Sequence, residues 1–231
     1  MVAEHARLGT NRHNGRLTRL DSLFDATSDG IDMDVPARVV DSDTKYRGAI
    51  FTVEDRTVAL ARNEGGETLI RRQVVVHAPC VVMLVHDVRA DRYLVEREYR
   101  AGSNITTIGL PAGLIDAGEE PHQAMLRELR EETGVIPDDV DIDEAGSYYS
   151  SEGMTDELAH IAVLHMHGWS QGERRFDADE HVESAWVDWP TLLTLPITAS
   201  NSIIAIQHER IRRLVERMDG AATAQGLDAI R

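Results

Sequence analysis

Three carboxylates offer the sharpest chemistry in this chain. Glu128, Glu131 and Glu132 stand three and four positions apart within Gly113–Val135, GLIDAGEEPHQAMLRELREETGV. On an ideal helix that spacing gathers all three on one face. Like charges so placed repel by about 0.2–0.5 kcal/mol per pair. One reading is a solvated acidic face. The other is a site for Mg²⁺ or Mn²⁺, which prefer clustered hard oxygens and turn the repulsion into attraction. The stretch has the periodicity to hold them: Ala124, Leu126, Leu129 and Val135 are its apolar members. Pro121 suits a first helical turn, and Gly134 sits where a left-handed stop is expected.

The residues around the acids narrow the choice. Gly113, Glu119, Arg127-Glu128-Leu129, Glu131-Glu132 and Gly134-Val135 follow one another at the spacing of the Nudix box. The chain therefore resembles the Nudix hydrolases. Residues 71–77 (RRQVVVH), 97–100 (REYR), 110–116 (LPAGLID) and 200–206 (SNSIIAI) resemble the ADP-ribose pyrophosphatase branch in order and spacing. The likeness runs from residue 40 to residue 215.

That resemblance implies an α/β (α+β) architecture, a mixed β-sheet sandwiched between helices with a small N-terminal antiparallel β-sheet. It implies metal-dependent hydrolysis of the pyrophosphate bond of ADP-ribose or a related nucleoside diphosphate sugar, giving AMP and a sugar phosphate. Mg²⁺ (or Mn²⁺) would be held by Glu128, Glu131, Glu132, Glu180 and the Ala112 carbonyl. The base would be Glu131 or an acid of the loop Asp177–Glu180. Arg100 is placed on the substrate phosphates, a duty that suits a planar guanidinium. Arg72 matches an arginine that reaches the partner's site across a homodimer, and its alternative is an ordinary surface arginine. Gly153 and Glu157 match substrate-binding positions; Glu157 is equally a strand-edge acid. Arg127 is expected to pair with a box glutamate and aim it.

Three departures from the branch pattern stand out. Ile108-Gly109 occupies the place of a common Trp-Glu pair, and Ser151-Glu152-Gly153 the place of Ser-Pro-Gly. Ala178, flanked by Asp177 and Asp179, falls where a base is expected, so a shift of one residue decides whether an aspartate serves. Glu152 and Gly109 keep a second substrate class open, a dinucleoside polyphosphate or NADH. A non-catalytic ligand-binding module is the third reading.

The elements that must position these groups follow from patterning. CVVMLV (Cys80–Val85) and YLVERE (Tyr93–Glu98) read as core strands, and ELAHIAVLHMHGW as an alternating strand. ARVV, GAIFTVEDRTVALA and ETLIRRQVVV give a small sheet, with Gly65-Gly66 marking a hairpin. Leu17–Phe24 reads as a short helix and Asp138–Glu144 as a solvated acidic loop. SNSIIAIQHERIRRLVERMDG reads as a helix capped by Ser200, with Ile204, Ile211, Leu214 and Met218 as its packing stripe and Gly220 as its stop. The expected organisation is a polar extension over 1–35, a dimerising β-subdomain over 36–76, the hydrolase domain over 77–220 and a tail over 221–231. His165 and His167 share a strand face at a spacing seen in metal pairs, but a metal site needs more than two ligands.

Composition sets outer bounds. With 24 basic and 40 acidic residues among 231, the net charge is −16. That argues against nucleic acid or an anionic membrane as partner, since both need a basic footprint. A small nucleoside diphosphate remains compatible, and the resemblance adds a homodimer. No apolar run spans a bilayer, and the first residues lack a signal-peptide core. The single cysteine, Cys80, lies in an apolar run and reads as a small hydrophobe, which points to a cytoplasmic home.

Overall fold

The computed structural model describes residues 29–175 and 181–228. Leu17–Phe24, Phe176, Asp177, Ala178, Asp179 and Glu180 lie outside the described residues. The described residues group into two units, 29–43 with 55–72 and 44–54 with 73–175 and 181–228.

The N-terminal strands are β1 (Arg38–Arg47), β2 (Phe51–Ala61) and β3 (Glu67–His77), a sheet in the order β1-β2-β3. Gly65 and Gly66 both take left-handed φ, +87° and +84°, which lets the chain double back between β2 and β3. In the first unit Arg38 pairs with Glu67 at 3.0 Å, and Ala59 is buried. Every residue of β1 is exposed.

The second unit is built on a seven-stranded mixed sheet. Its strands are β4 (Cys80–Asp87), β5 (Arg92–Arg100), β6 (Ile105–Gly109), β7 (Ala112–Leu114), β8 (Val135–Tyr149), β9 (Leu158–Gln171) and β10 (Val182–Asp188). They run β10-β5-β4-β9-β8, with β6 on β5 and β7 on β4. Only β4 and β9 pair in parallel among these strands. Successive side chains of a strand face opposite ways. In β4, Val81, Met83 and Val85 therefore join Ala124, Met125 and Leu129 on one side. Cys80, Val82 and Leu84 join Trp189, Leu192, Ala205 and Ile206 on the other. A strand covered on both faces has to be apolar throughout, which explains CVVMLV.

The covering helices are α1 (Pro121–Glu128), continued by a π-helical turn over Leu129–Thr133, then α2 (Trp189–Leu192) and α3 (Ser200–Asp228). Sheet between helices is thus the architecture that the resemblance implied. Three local expectations need correcting. Asp138–Glu144 is not a loop; it lies inside β8, paired with β9, and Val140 and Ile142 alternate into the core. The buried face of α3 is Ser202, Ala205, Ile206 and Glu209, whereas Ile211, Leu214 and Met218 are exposed. The helix also continues past Gly220 to Asp228.

Candidate active site

Arg127 organises the acid-rich end of α1. Its Nε and Nη2 donate to the two oxygens of Glu119, each at 2.9 Å. Nη1 donates to Glu128 at 2.8 Å and Glu131 at 3.1 Å, and Nη2 also reaches the Leu114 carbonyl at 2.8 Å. A planar fork is the right shape for this, since it presents five donors in fixed directions. The Glu119 hydrogen bond is the main reason that the Arg127 pKa rises further, and Arg127 in turn holds the Glu119 carboxyl below its usual range.

Glycine at 113 makes room for Glu128. A Cβ there would stand 2.0 Å from Glu128 Cδ and 2.2 Å from Oε1, so the carboxylate lies directly over the backbone at Gly113. That backbone is fixed because Ala112 and Gly113 pair with Val82 and Val81 of β4. Any larger side chain at 113 must push Glu128 away from Ala112 and its neighbours.

The three box acids do not share one face. The π turn hydrogen-bonds i to i+5 and is wider than an α turn, so the ideal spacing no longer applies. Glu131 stays half-exposed on Arg127. Glu132 is only 8% exposed and turns toward β5, where it hydrogen-bonds Glu96, itself 6% exposed. Burial first, and then Glu98, pushes the Glu96 carboxyl well above its ordinary range. Glu96 is absent from the sequence-based site. The signal for it was the alternation of YLVERE, which puts position 96 on the same face as the core residue Leu94.

The far end of β9 clamps the π turn from outside. Gln171 Nε2 and Arg174 Nε donate to the Thr133 carbonyl at 2.9 and 3.2 Å. Gly172 N–H donates to Gly134 at 2.7 Å, and Arg175 N–H to the Glu131 carbonyl at 2.8 Å. Gly134 takes φ +73°, the expected left-handed stop, and a Cβ would meet the Gly172 carbonyl at 2.5 Å. Arg174 also reaches Ser184 Oγ at 2.5 Å.

The remaining sequence-based candidates divide by place. Arg100 ends β5, exposed, with Glu98 at 2.8 Å. Gly153 lies in an exposed turn with open space where a Cβ would be. That turn is fixed at its base, since Val75 N–H donates to the Met154 carbonyl at 2.8 Å and His77 N–H to Asp156 at 2.9 Å. Glu157 faces His77 Nδ1 at 3.3 Å. Arg72 belongs to the first unit, is exposed, and donates to the Arg71 carbonyl at 2.9 Å. Cys80 is buried, and burial pushes its thiol up to about 12, which leaves no thiolate at neutral pH. His165 pairs with His86 at 3.0 Å, and His167 with Asp141 at 2.9 Å.

In donor chemistry the site fits a divalent cation: the acids are hard oxygen donors, and Glu96 Oε1 is buried without a hydrogen-bond partner. As the side chains stand, no three Cys, His, Asp or Glu among the described residues converge closely enough to hold an ion. Arg127 takes up Glu128 and Glu131 instead.

Comparison with known proteins adds an independent finding. The NUDIX domain model matches residues 76–205. The chain is 28% identical over 151 residues to the ADP-ribose pyrophosphatase of Bacillus subtilis, across 63% of this chain and 80% of that protein. It is 30% identical over 118 residues to the ADP compounds hydrolase NudE of Escherichia coli, across 49% of this chain and 61% of that protein. A solved crystal structure of an ADP compounds hydrolase superposes with a TM-score of 0.60 at 21% identity, over 80% of this chain and 96% of that chain. At that identity the superposition speaks for the fold.

Proposed function

Since this chain belongs to the NUDIX family and is a Nudix pyrophosphohydrolase, we propose that it hydrolyses the pyrophosphate bond of ADP-ribose or a related nucleoside diphosphate sugar. The products would be AMP and a sugar phosphate, ribose 5-phosphate for ADP-ribose itself. The observation that carries this reading is the acid-rich end of α1, with Glu128 seated over Gly113 and Glu132 buried beside Glu96. Two relatives with ADP compounds in their names support the substrate class.

Glu128, Glu131, Glu132, the Ala112 carbonyl and Glu180 are the proposed holders of Mg²⁺ or Mn²⁺. When bound, such ions offset charge on the phosphoryl oxygens and make water a better nucleophile. The protein supplies the rest. Arg100 at the end of β5 neutralises a phosphate of the substrate, exchanging Glu98 for it. Glu131, half-exposed with one oxygen on Arg127, accepts the proton of the attacking water; an acid of 177–180 is the other candidate. Arg127 steers Glu128 and Glu131 and does not touch substrate. Gly153 and Glu157 line the substrate side, with the turn holding them fixed by Val75 and His77.

Glu152, exposed in that turn, favours a second reading in which the substrate is a dinucleoside polyphosphate or NADH. A panel of these compounds with ADP-ribose and ADP-sugars, in Mg²⁺ and in Mn²⁺, decides between them. Preferential release of AMP and ribose 5-phosphate supports the first; a preference for dinucleoside polyphosphates overturns it. Turnover of no compound returns the chain to a binding module.

We also propose a homodimer formed through the sheet of residues 36–76, with Arg72 serving the partner's site. The exposed apolar side chains Val39, Val40 and Leu69 support this, as do Tyr46, Ile50 and Phe51. Light scattering giving a mass of one chain overturns it. A cytoplasmic location rests on the lone buried cysteine; no described helix is long and apolar enough to cross a membrane.

A further inference from the structure

Glu96 is a buried carboxylate on the central part of β5, and its position needs an explanation beyond core packing. It is 6% exposed, hydrogen-bonds Glu132, and leaves Oε1 with no partner. Two acid side chains meeting in a buried place lose hydration and repel when both are ionised, an arrangement proteins otherwise avoid. The cations nearby do not cancel it. Arg100 is bonded to Glu98, and Arg174 is committed to Thr133 and Ser184. Across the sheet, the register partner of Glu96 on β6 is Gly109, which has no side chain to offer.

We propose that Glu96 is an additional carboxylate ligand of the divalent cation, delivered from β5 to meet Glu132 from the π turn. This deepens the metal-dependent reading above and rests on it. A strand supplies a ligand more rigidly than a helix end, because its backbone is paired on both sides: Glu96 lies opposite Gly109 of β6 and Ser184 of β10. The cation would then sit between two buried oxygens and be shielded from bulk water on the β5 side. The acid whose isolation in the core is costly becomes useful when an ion of opposite charge lies beside it.

The test is Mn²⁺ binding by the full chain without substrate, followed by titration calorimetry and by the EPR spectrum of bound Mn²⁺. Glu96→Gln keeps the shape and removes the charge. It is expected to weaken Mn²⁺ binding about tenfold or more and to alter the EPR line shape at saturation, while circular dichroism stays that of the wild type. Wild-type affinity in Glu96→Gln, or an unchanged line shape, overturns the assignment, since a residue that only positions Glu132 leaves the coordination sphere as it was. Should Glu96→Gln fail to fold, Glu96→Asp is read the same way: the shorter acid is expected to bind more weakly, and wild-type affinity overturns the proposal. Glu132→Gln separates the two levels. If wild type binds Mn²⁺, Glu132→Gln does not, and Glu96→Gln matches wild type, the inference alone fails; if wild type binds none, the metal-dependent reading fails with it.

Discussion

Two buried glutamates in this protein are treated in opposite ways. Glu209 of α3 is fully buried, yet all of its needs are met: the Tyr93 hydroxyl donates to Oε1 at 2.5 Å, and Arg212 donates to Oε2 at 2.6 Å and Oε1 at 2.8 Å. Burial raises its pKa, but the Arg212 and Tyr93 hydrogen bonds outweigh that, so the net shift is downward and it stays ionised. Arg213 ties the surroundings together through Asp91 at 2.7 Å and the Tyr93 hydroxyl at 2.6 Å. Glu96 is nearly as buried, but it meets the acids Glu132 and Glu98 while the nearby Arg100 and Arg174 are bonded elsewhere, its carboxyl is pushed up, and one oxygen is unmatched. Where a buried charge serves the fold, its partners are built in. Where it serves a ligand, one place is left open.

The contrast can be broken most forcefully at Glu209. Glu209→Ala strips the buried partner from Arg212, which keeps only the exposed Glu216, and leaves the Tyr93 O–H with no acceptor, and a loss of about 3 kcal/mol in urea unfolding is expected. A loss under about 1 kcal/mol would mean that the network is decoration. Next comes Glu132→Gln, expected to cut turnover at least a hundredfold, about 2.7 kcal/mol of barrier, with the melting temperature kept. Near-normal turnover shows that the metal site is misplaced.

His86 and His165 are buried against each other beside Glu209, and burial lowers both pKa values below the usual 6.5. The unfolded chain therefore binds more protons than the folded one below that value. Their contribution is intact above pH 6.5 and is lost as pH falls through it, by at most about 1.4 kcal/mol per unit per histidine. Unfolding free energies at pH 7.5, 6.5 and 5.5 should decline in that order; a flat series sinks the claim that both imidazoles stay neutral. Smallest of all, Glu96→Gln, measured without metal, should lie within about 0.5 kcal/mol of wild type or above it, because the amide replaces a carboxyl whose ionisation burial already opposes. A loss as large as that of Glu209→Ala would make the two glutamates alike.

The sequence disclosed the box and the fold far better than the mutual geometry of the acids. Gly134 and Pro121 do what residue type demands, because backbone sterics act locally. The single shared face for Glu128, Glu131 and Glu132 failed because a π turn begins at Leu129, and no local pattern announces it. Glu96 and Arg174 escaped notice because they come to the box by strand pairing and by the β9 clamp, both long-range. In α3 the apolar stripe is right only at its start, where Ile204 packs on the core beside the buried Ile206; Ile211, Leu214 and Met218 are exposed, and the contact surface also uses Ser202 and Glu209, which hydropathy undervalues.

Arg127 carries a last consequence. One guanidinium already quiets Glu119, Glu128 and Glu131, so the polypeptide can finish its assembly with no ion on hand. In the proposed metal-dependent enzyme, loading would thereby be separated from maturation, unlike zinc fingers, which are formless until metal arrives. If turnover needs magnesium or manganese as proposed, scarcity of either would idle the enzyme without sending it to the proteases, and restored supply would wake molecules already made.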